Sequence, residues 1–139
     1  MTYTKTINIQ ATASRVWRVL TEPELMVQWM SDADISIDSE WRVGSPISVR
    51  SAVNGEHEYK GFILQWVPER VFQYSSWSEI MRLPDSPEHY AVITFELSEQ
   101  GGHTSLTITH SNLVSAASSE HVQFYWNGAA PVLKRLAEG

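Results

Sequence analysis

An apolar stripe near the end of the chain constrains the fold more than any other feature. Apolar residues recur there at steps of three and four, and they are Val122, Tyr125, Trp126, Ala129, Val132, Leu133 and Leu136. This spacing puts all of them on one side of an α-helix. One long amphipathic helix is therefore predicted over 118–138, and it needs an extended apolar surface to pack on.

Two residues inside this predicted helix are poor helix formers. Gly128 follows Asn127, and Pro131 comes about one turn later. A proline at 131 removes the hydrogen bond to the carbonyl of residue 127, and its ring crowds that carbonyl. The sequence therefore predicts a kink near the middle of the helix.

Most of the chain before this helix alternates between apolar and polar residues, as β-strands do. Near its end, Leu106, Ile108 and His110 share one face, with hydroxyl residues between them. Such alternation is typical of an antiparallel strand with one solvated face. Asn54–Gly55 predicts a hairpin turn. Similar alternating runs lie at 2–10, 47–50, 58–67, 71–77 and 90–98.

Two short helices are predicted between the first strand and the others. Trp17 and Leu20 lie on one helical face, and Thr12 or Ser14 is placed to cap that helix. The helix ends before Pro23, because the residue before a proline avoids the α region. Pro23 also suits the first position of a second helix.

The order of these elements indicates the fold class. Strands joined by hairpins imply an antiparallel sheet, whose apolar face the helices must cover. The chain has no βαβ alternation and no internal repeat. The prediction is one α+β domain over 1–139, in which about six to seven antiparallel strands wrap around the long C-terminal helix.

Composition excludes several kinds of site and partner. None of the 139 residues is cysteine, so disulfides, thiolate nucleophiles and thiolate metal ligands are excluded. A net charge of −6 offers no basic patch for nucleic acid. No apolar run reaches the roughly 18 residues of a membrane span, and the start of the chain lacks the pattern of a signal peptide. A cytoplasmic location is expected.

The five histidines are scattered, so no metal, cofactor or catalytic site is predicted from them. His110 stands out, because its parity with Leu106 and Ile108 points it inward. An inward imidazole needs a hydrogen-bond partner or a lowered pKa. Three roles stay open for it: a core histidine bonded to a carbonyl or a tyrosine hydroxyl, a polar anchor for a ligand, or a general acid–base.

Several short motifs, in a fixed order, carry a resemblance over nearly the whole chain. They are Ile9-Gln10-Ala11, Val16-Trp17, Leu20-Thr21, Pro23 and Trp29; Arg42-Val43-Gly44; Gly61, Leu64, Pro68, Tyr74 and Trp77; Gly102-His103-Thr104, Leu106 to His110 and Leu113; and Gly128 to Leu136. Together they resemble the activator of Hsp90 ATPase homologue 1-like family, within the START-like (SRPBCC) superfamily.

The chain departs from that family's pattern at two places. The family's tail motif usually has tryptophan after its glycine, where this chain has Ala129, and Trp126 lies three residues earlier on the same helical face. The central hairpin has one residue more than usual between Tyr74 and Trp77. Both changes alter the predicted cavity lining, so no ligand is carried over from relatives.

The resemblance implies the helix-grip fold, with a groove between the long helix and the sheet. Members include ligand carriers, cyclases and a eukaryotic co-chaperone domain, so the fold alone does not decide the function. The leading hypothesis is that a small hydrophobic or amphipathic ligand binds in this groove, which is typically lined by apolar and aromatic residues. The predicted lining residues are Trp29, Trp41, Phe62, Leu64, Tyr74, Phe95, His110, Tyr125 and Trp126.

Two other hypotheses stay open. A protein-interaction module of the co-chaperone type would contact an Hsp90-type chaperone through an exposed apolar patch. An enzyme such as a cyclase or hydrolase would use the same cavity, with His110 or Tyr74 beside a reactive ligand. A homodimer formed through an exposed edge strand is also compatible with the sequence.

Overall fold

The computed structural model describes residues 1–31, 34–51 and 57–139. Its elements are β1 (Tyr3–Ile9), α1 (Ala13–Thr21), α2 (Pro23–Met30), β2 (Ile35–Ser39), β3 (Pro46–Ser51), β4 (His57–Val67), β5 (Val71–Ser76), β6 (Ala91–Gln100), β7 (His103–Ser111) and α3 (Ala116–Glu138). Two 3₁₀ helices, Glu79–Met81 and Pro87–His89, lie between β5 and β6. The turn predicted at Asn54–Gly55 lies outside the described residues.

Seven strands form one antiparallel sheet in the order β1-β7-β6-β5-β4-β3-β2. Each of the strands β2 to β6 pairs with the next one along the chain, and β1 pairs with β7. α3 packs against β1, α1 and α2. Buried residues of the helices and of the sheet's inner face form one core cluster. The predicted α+β architecture is therefore confirmed, including the two short helices after the first strand.

The two short helices begin where the sequence predicts. Thr12 is the N-cap of α1, and its Oγ1 accepts a hydrogen bond from the amide of Arg15 at 3.2 Å. The Glu99 carboxylate accepts a second one from the amide of Ala13 at 2.6 Å. These two oxygens satisfy N–H groups that have no partner within the helix. Pro23 is the first residue of α2.

The long helix α3 runs without a break, although Pro131 lies inside it. Two basic side chains connect its second half to the first part of the chain. The Lys134 ammonium donates to the carbonyl of Asn8 at 2.6 Å, and the Arg15 guanidinium donates to that of Leu136 at 2.9 Å. None of the described helices combines the length and the hydropathy that a bilayer crossing requires.

An aromatic cluster, formed by Trp17, Trp41, Trp66 and Phe72, joins α1 to the sheet. The ring of Trp17 lies 5.1 Å from that of Trp66 and 6.3 Å from that of Phe72, edge to face in both cases. Trp41 packs on the same two rings at 5.9 and 6.3 Å. Each such pair adds about 0.5–1.5 kcal/mol beyond the burial of area. Phe72 also stacks on Phe95 at 5.9 Å, which extends the ring contacts towards α3.

The strand β4 lies between β3 and β5, and its Gly61 lies against the backbone of β5. It pairs with β3 along 57–62 and with β5 along 63–67, and Lys60 forms a further bridge to Trp77. A Cβ at Gly61 would lie only 1.8 Å from the carbonyl oxygen of Ser75, so the two backbones approach more closely than any side chain allows. The Ser75 hydroxyl accepts a hydrogen bond from the amide of Phe62 at 3.0 Å and holds this close approach in place.

A β-bulge follows directly on this close approach. The register of β4 with β5 shifts between Ile63 and Gln65, so Leu64 is an additional residue in the strand. A bulge of this kind reverses the alternation of side chains beyond it. Ile63 is buried and Trp66 packs against the core, although an undisturbed strand would place them on opposite faces.

We expect the substitution Gly61→Ala to destabilise the protein by about 3 kcal/mol, the upper end of the usual cost of overpacking. The reason is that the added methyl group meets the backbone of Ser75, which cannot rotate away as a side chain can. Urea unfolding followed by tryptophan fluorescence would measure the change in the free energy of unfolding.

Gly128→Ala is the matched control. No described atom lies within 4 Å of a Cβ at this position of α3, and alanine is about 1 kcal/mol better than glycine inside a helix. This second substitution should therefore stabilise the protein by up to about 1 kcal/mol. Equal effects of the two substitutions would contradict the close approach at Gly61.

Candidate functional site

A cavity of about 780 Å³ lies between the first half of α3 and the inner face of the sheet. The end of α2, strands β2 to β7, and α3 all contribute to its wall. Its inner end is made by buried residues, which include Trp29, Ile47, Tyr74, Ala91, Ile93, Leu113, Val122 and Trp126. Its mouth is marked by exposed residues, which include Tyr59, Ile80, Val114, Ala117, His121 and Tyr125.

Three residues form a row across the sheet side of the cavity. His110 of β7 pairs with Ile93 of β6, which pairs with Tyr74 of β5. Residues paired in this way share a face of the sheet. Because neighbouring strands lie roughly 4.8 Å apart, the backbones at His110 and Tyr74 are about 10 Å apart. The wall therefore carries an imidazole and a phenol on either side of an isoleucine.

The helix side of the cavity is formed around Trp126 and Tyr125. The ring of Trp126 lies 5.9 Å from that of Trp29 and 5.9 Å from that of Phe95. It thus connects α3, α2 and the sheet at the inner end of the cavity. The Tyr125 hydroxyl donates a hydrogen bond to the carbonyl of Met30 at 2.8 Å, which ties α3 to the end of α2.

Two polar atoms on this wall are buried and have no hydrogen-bond partner among the described residues. They are Nδ1 of His110 and Nε1 of Trp126. Other buried indoles are paired: Nε1 of Trp29 donates to the carbonyl of Val19 at 2.8 Å, and Nε1 of Trp77 donates to that of Leu83 at 3.2 Å. Buried polar atoms in proteins almost always have a partner. Both exceptions belong to residues that line the same cavity.

Burial favours the neutral forms of three titratable groups of the wall. Burial lowers the pKa of His110 to about 4. It raises the pKa of the Tyr74 hydroxyl well above its ordinary value. The pKa of Tyr125 is raised too, first by burial and then by its neighbours Tyr74 and Tyr59. No aspartate, glutamate, lysine or arginine is found among the described lining residues.

The wall therefore offers hydrogen bonds and apolar contact. The lining histidines His57, His110 and His121 lie on three different elements. Within the described parts of the chain, no three histidine, aspartate or glutamate side chains could hold a metal ion together. A histidine with a pKa of about 4 is a weak base near pH 7. This arrangement is suited to binding and orienting an uncharged molecule.

The segment beside the mouth is anchored to β4. The Lys60 ammonium lies 2.6 Å from the Asp85 carboxylate, which also accepts a hydrogen bond from the Tyr90 hydroxyl at 2.7 Å. The same ammonium lies 5.4 Å from the centre of the Trp77 ring. Ion pairs this exposed contribute little free energy, so their main effect is to orient the connection that carries Ile80.

Five of the nine residues that the sequence predicted to line a cavity do so in the structure. They are Trp29, Tyr74, His110, Tyr125 and Trp126. They come from α2, β5, β7 and α3, and the fold brings them together around the inner end and the mouth. His110 faces inward, as its parity with the preceding apolar residues predicted.

The prediction that Phe62 and Leu64 face the cavity is wrong. Their side chains are 49% and 40% exposed. The prediction placed them on the same face as Trp66 by simple alternation. The bulge at Leu64 reverses that alternation, so that Ile63 takes the inward position instead.

Trp41 and Phe95 also lie away from the cavity surface. Trp41 belongs to the aromatic cluster, on the rings of Trp66 and Phe72. Phe95 is fully buried beneath Trp29, at 6.1 Å between ring centres, and beneath Trp126. It therefore supports the inner end of the cavity from below without lining it.

The structure adds lining residues that the sequence analysis did not name. Ile80 and Met81 come from a 3₁₀ helix in a connection without a hydrophobic period, so no local signal marks them. Ser118 and His121 are different, because they precede Tyr125 by about two turns and one turn of the predicted helix. Helical spacing from Tyr125 would have identified both.

We expect His110 to make the protein less stable in acid. Its pKa is lowered from 6.5 to about 4 in the folded state, so below pH 6.5 protons bind the unfolded chain preferentially. Stability contributed by neutral His110 is complete above pH 6.5 and is lost as pH falls towards 4. Between pH 6.5 and pH 4 the free energy of unfolding should fall by about 3 kcal/mol, because each pH unit accounts for about 1.4 kcal/mol. Urea unfolding between pH 4 and 7.5 would measure it.

Two variants isolate this effect. His110→Leu should remove that part of the pH dependence, whereas His103→Leu, at an exposed position beside the β6–β7 turn, should keep the wild-type profile. A His110→Leu variant whose stability falls with acid as steeply as the wild type would show that the imidazole is not held neutral by burial.

Comparisons with known proteins agree with this architecture. The solution structure of ChR145 from Cytophaga hutchinsonii is 29% identical, with a TM-score of 0.85 over 99% of this chain and 94% of that one. The Aha1 dimer from Colwellia psychrerythraea is 20% identical, with a TM-score of 0.77 over 99% and 96%. CalU16 from Micromonospora echinospora is 21% identical, with a TM-score of 0.75 over 98% and 75%.

No curated protein matches the chain in sequence. The family model described as "Activator of Hsp90 ATPase homolog 1-like protein" matches residues 10–138, which is almost the entire length. This range includes all three helices and the cavity wall. The chain therefore belongs to the activator of Hsp90 ATPase homologue 1-like family, and its fold is the START-like helix-grip fold.

Proposed function

We propose that the protein binds a small hydrophobic or amphipathic molecule in the cavity between α3 and the sheet. The observation that carries this proposal is a volume of about 780 Å³ with a largely apolar and aromatic lining. Pockets for small molecules usually have volumes of about 300–1,000 Å³ and combine such a lining with a few polar groups.

The distribution of aromatic residues supports this proposal. Trp17, Trp41 and Trp66 belong to the aromatic cluster at the α1 side of the sheet, away from the cavity lining. Trp29 and Trp126 instead form the inner end of the cavity, where their flat faces provide apolar contact area. The tryptophans thus fill the interior at the α1 side, whereas at the other side they form the wall of the cavity.

The mouth also suits an apolar molecule. Ile80 and Val114 are 54% and 55% exposed there, on the 3₁₀ helix and on the connection before α3. The adjacent first half of α3 has few buried residues, since Val122 is its first buried position. A ligand entering between these elements would cover apolar surface that otherwise faces water, which favours binding.

The substitution Ala117→Trp tests the cavity directly. Ala117 is exposed at the mouth, so an indole there should obstruct entry without disturbing the core. We expect the wild type to bind the hydrocarbon probe 1,6-diphenylhexatriene with a rise in probe fluorescence, and Ala117→Trp to bind it about tenfold more weakly, which corresponds to roughly 1.4 kcal/mol.

Ala116→Trp is the matched control, because Ala116 is the adjacent exposed residue of α3 and does not line the cavity. It should bind the probe as the wild type does. A wild-type protein that fails to bind the probe, or equal weakening by both substitutions, would refute binding in this cavity.

A second candidate function is a protein-interaction module of the co-chaperone type. Phe62, Leu64 and Val67 are between 40% and 49% exposed on β4, which gives this strand an exposed apolar surface. Surfaces of this kind often contact other proteins. The family name refers to activation of the Hsp90 ATPase, and one structural relative is described as an Aha1 dimer. A homodimer or a chaperone complex formed through β4 is consistent with the family name and with this relative.

The double substitution Phe62→Ser/Leu64→Ser tests this second candidate. If the module is of the co-chaperone type, the wild type should stimulate the ATPase of an Hsp90-type chaperone, and the double variant should lose most of that stimulation. Phe124→Ser, at a residue of α3 that is 79% exposed, is the control and should keep it. Absence of stimulation by the wild type would rule out this role.

A further inference from the structure

We propose that the cavity selects uncharged ligands that carry a hydroxyl or carbonyl group, which the side chains of Tyr74, His110 and Trp126 bind at its inner end. This inference rests on the proposed ligand-binding function and adds the chemical class of the ligand. It follows from three features of the wall: unpaired polar atoms, their positions on the fold, and the charge of the lining.

The first feature is the unpaired indole of Trp126. Its Nε1 has no partner among the described residues, whereas those of Trp29 and Trp77 each donate to a carbonyl. An indole N–H can only donate a hydrogen bond. Its partner on a ligand must therefore be an acceptor, such as the oxygen of a carbonyl or a hydroxyl. An aliphatic hydrocarbon has no such acceptor.

The second feature is the position of the other two polar groups. His110 and Tyr74 face the same cavity from β7 and β5, on either side of Ile93. Trp126 faces it from the opposite side, on α3. Tyr74 and Trp126 are almost fully buried, and Nδ1 of His110 is buried as well. The polar end of a ligand should therefore lie deep in the cavity, with its apolar part towards Ile80 at the mouth.

The third feature is the scarcity of charged side chains. Apart from the histidines His57, His110 and His121, the described lining contains no acidic or basic side chain that could pair with a carboxylate or an ammonium group. The nearest charged residues of β4 are already paired outside the cavity, Glu58 with Arg50 and Lys60 with Asp85. His110 is neutral near pH 7 because burial lowers its pKa. A charged group brought to the inner end would lose its hydration without gaining a counter-ion.

Three probes with the same tail and different head groups test this selectivity. Decan-1-ol, decanoate and decylammonium should compete with 1,6-diphenylhexatriene at pH 7.5, each below its solubility limit. We expect decan-1-ol to displace the hydrocarbon at least about tenfold more effectively than either ion, since neither charge finds a counter-ion at the inner end of the cavity.

Two substitutions test the residues themselves. Tyr74→Phe removes one hydroxyl and His110→Leu removes the imidazole, and each should lower the affinity for decan-1-ol relative to that for diphenylhexatriene by about fivefold, as expected for one neutral hydrogen bond. His103→Leu is the matched control, because His103 does not line the cavity. It should leave this ratio unchanged.

The outcomes separate this inference from the proposed function. If the wild type does not bind diphenylhexatriene, ligand binding and the inference are both wrong. If it binds the hydrocarbon but decanoate or decylammonium competes as well as decan-1-ol, only the selectivity is wrong. If decan-1-ol is preferred but neither substitution changes its relative affinity, the assignment of Tyr74 and His110 is wrong, because other groups then bind the hydroxyl of the ligand. Should a variant fail to fold, the ranking of the three probes by the wild type still decides.

Discussion

The close approach of Gly61 to Ser75 is the constraint on which the rest of the structure depends. It lets β4 lie against β5 while β4 also pairs with β3, so that seven strands form one sheet. A side chain at residue 61 would force the two backbones apart. The bulge at Leu64 immediately follows and decides which side chains of β4 point inward.

The interior beside the sheet has two different parts. At one side, α1 packs on the sheet through the aromatic cluster, where rings meet edge to face at 5–6 Å (Trp17 to Trp66 at 5.1 Å). At the other side, the first half of α3 stands away from the sheet, and the cavity lies beneath it. Trp126 marks the boundary, because its ring touches Trp29 and Phe95 while it also lines the cavity.

Burial favours the neutral form of two polar groups on this wall. It lowers the pKa of His110 and raises the pKa of Tyr74, so both groups stay neutral over the physiological range. An imidazole held neutral in this way is better suited to hydrogen bonding than to proton transfer near pH 7. The cavity is therefore suited to binding a molecule through hydrogen bonds and apolar contact, whereas the exposed side chains of β4 are suited to contacting another protein.

The sequence by itself determined the architecture. The helical stripe of α3, the alternation of the strands and Pro23 between the first two helices are local patterns, and local patterns set secondary structure and the inward faces of regular elements. That is why the positions of His110 and Trp126 at the cavity followed from parity and helical spacing. Tertiary structure alone decided that Phe62 and Leu64 face outward, that Phe95 is covered by two indoles, and that Ile80 reaches the mouth. These outcomes depend on how β4 pairs with β5 and on how the connections pack. They could not be predicted from the sequence, because contacts between distant residues produce no periodic pattern in a single sequence.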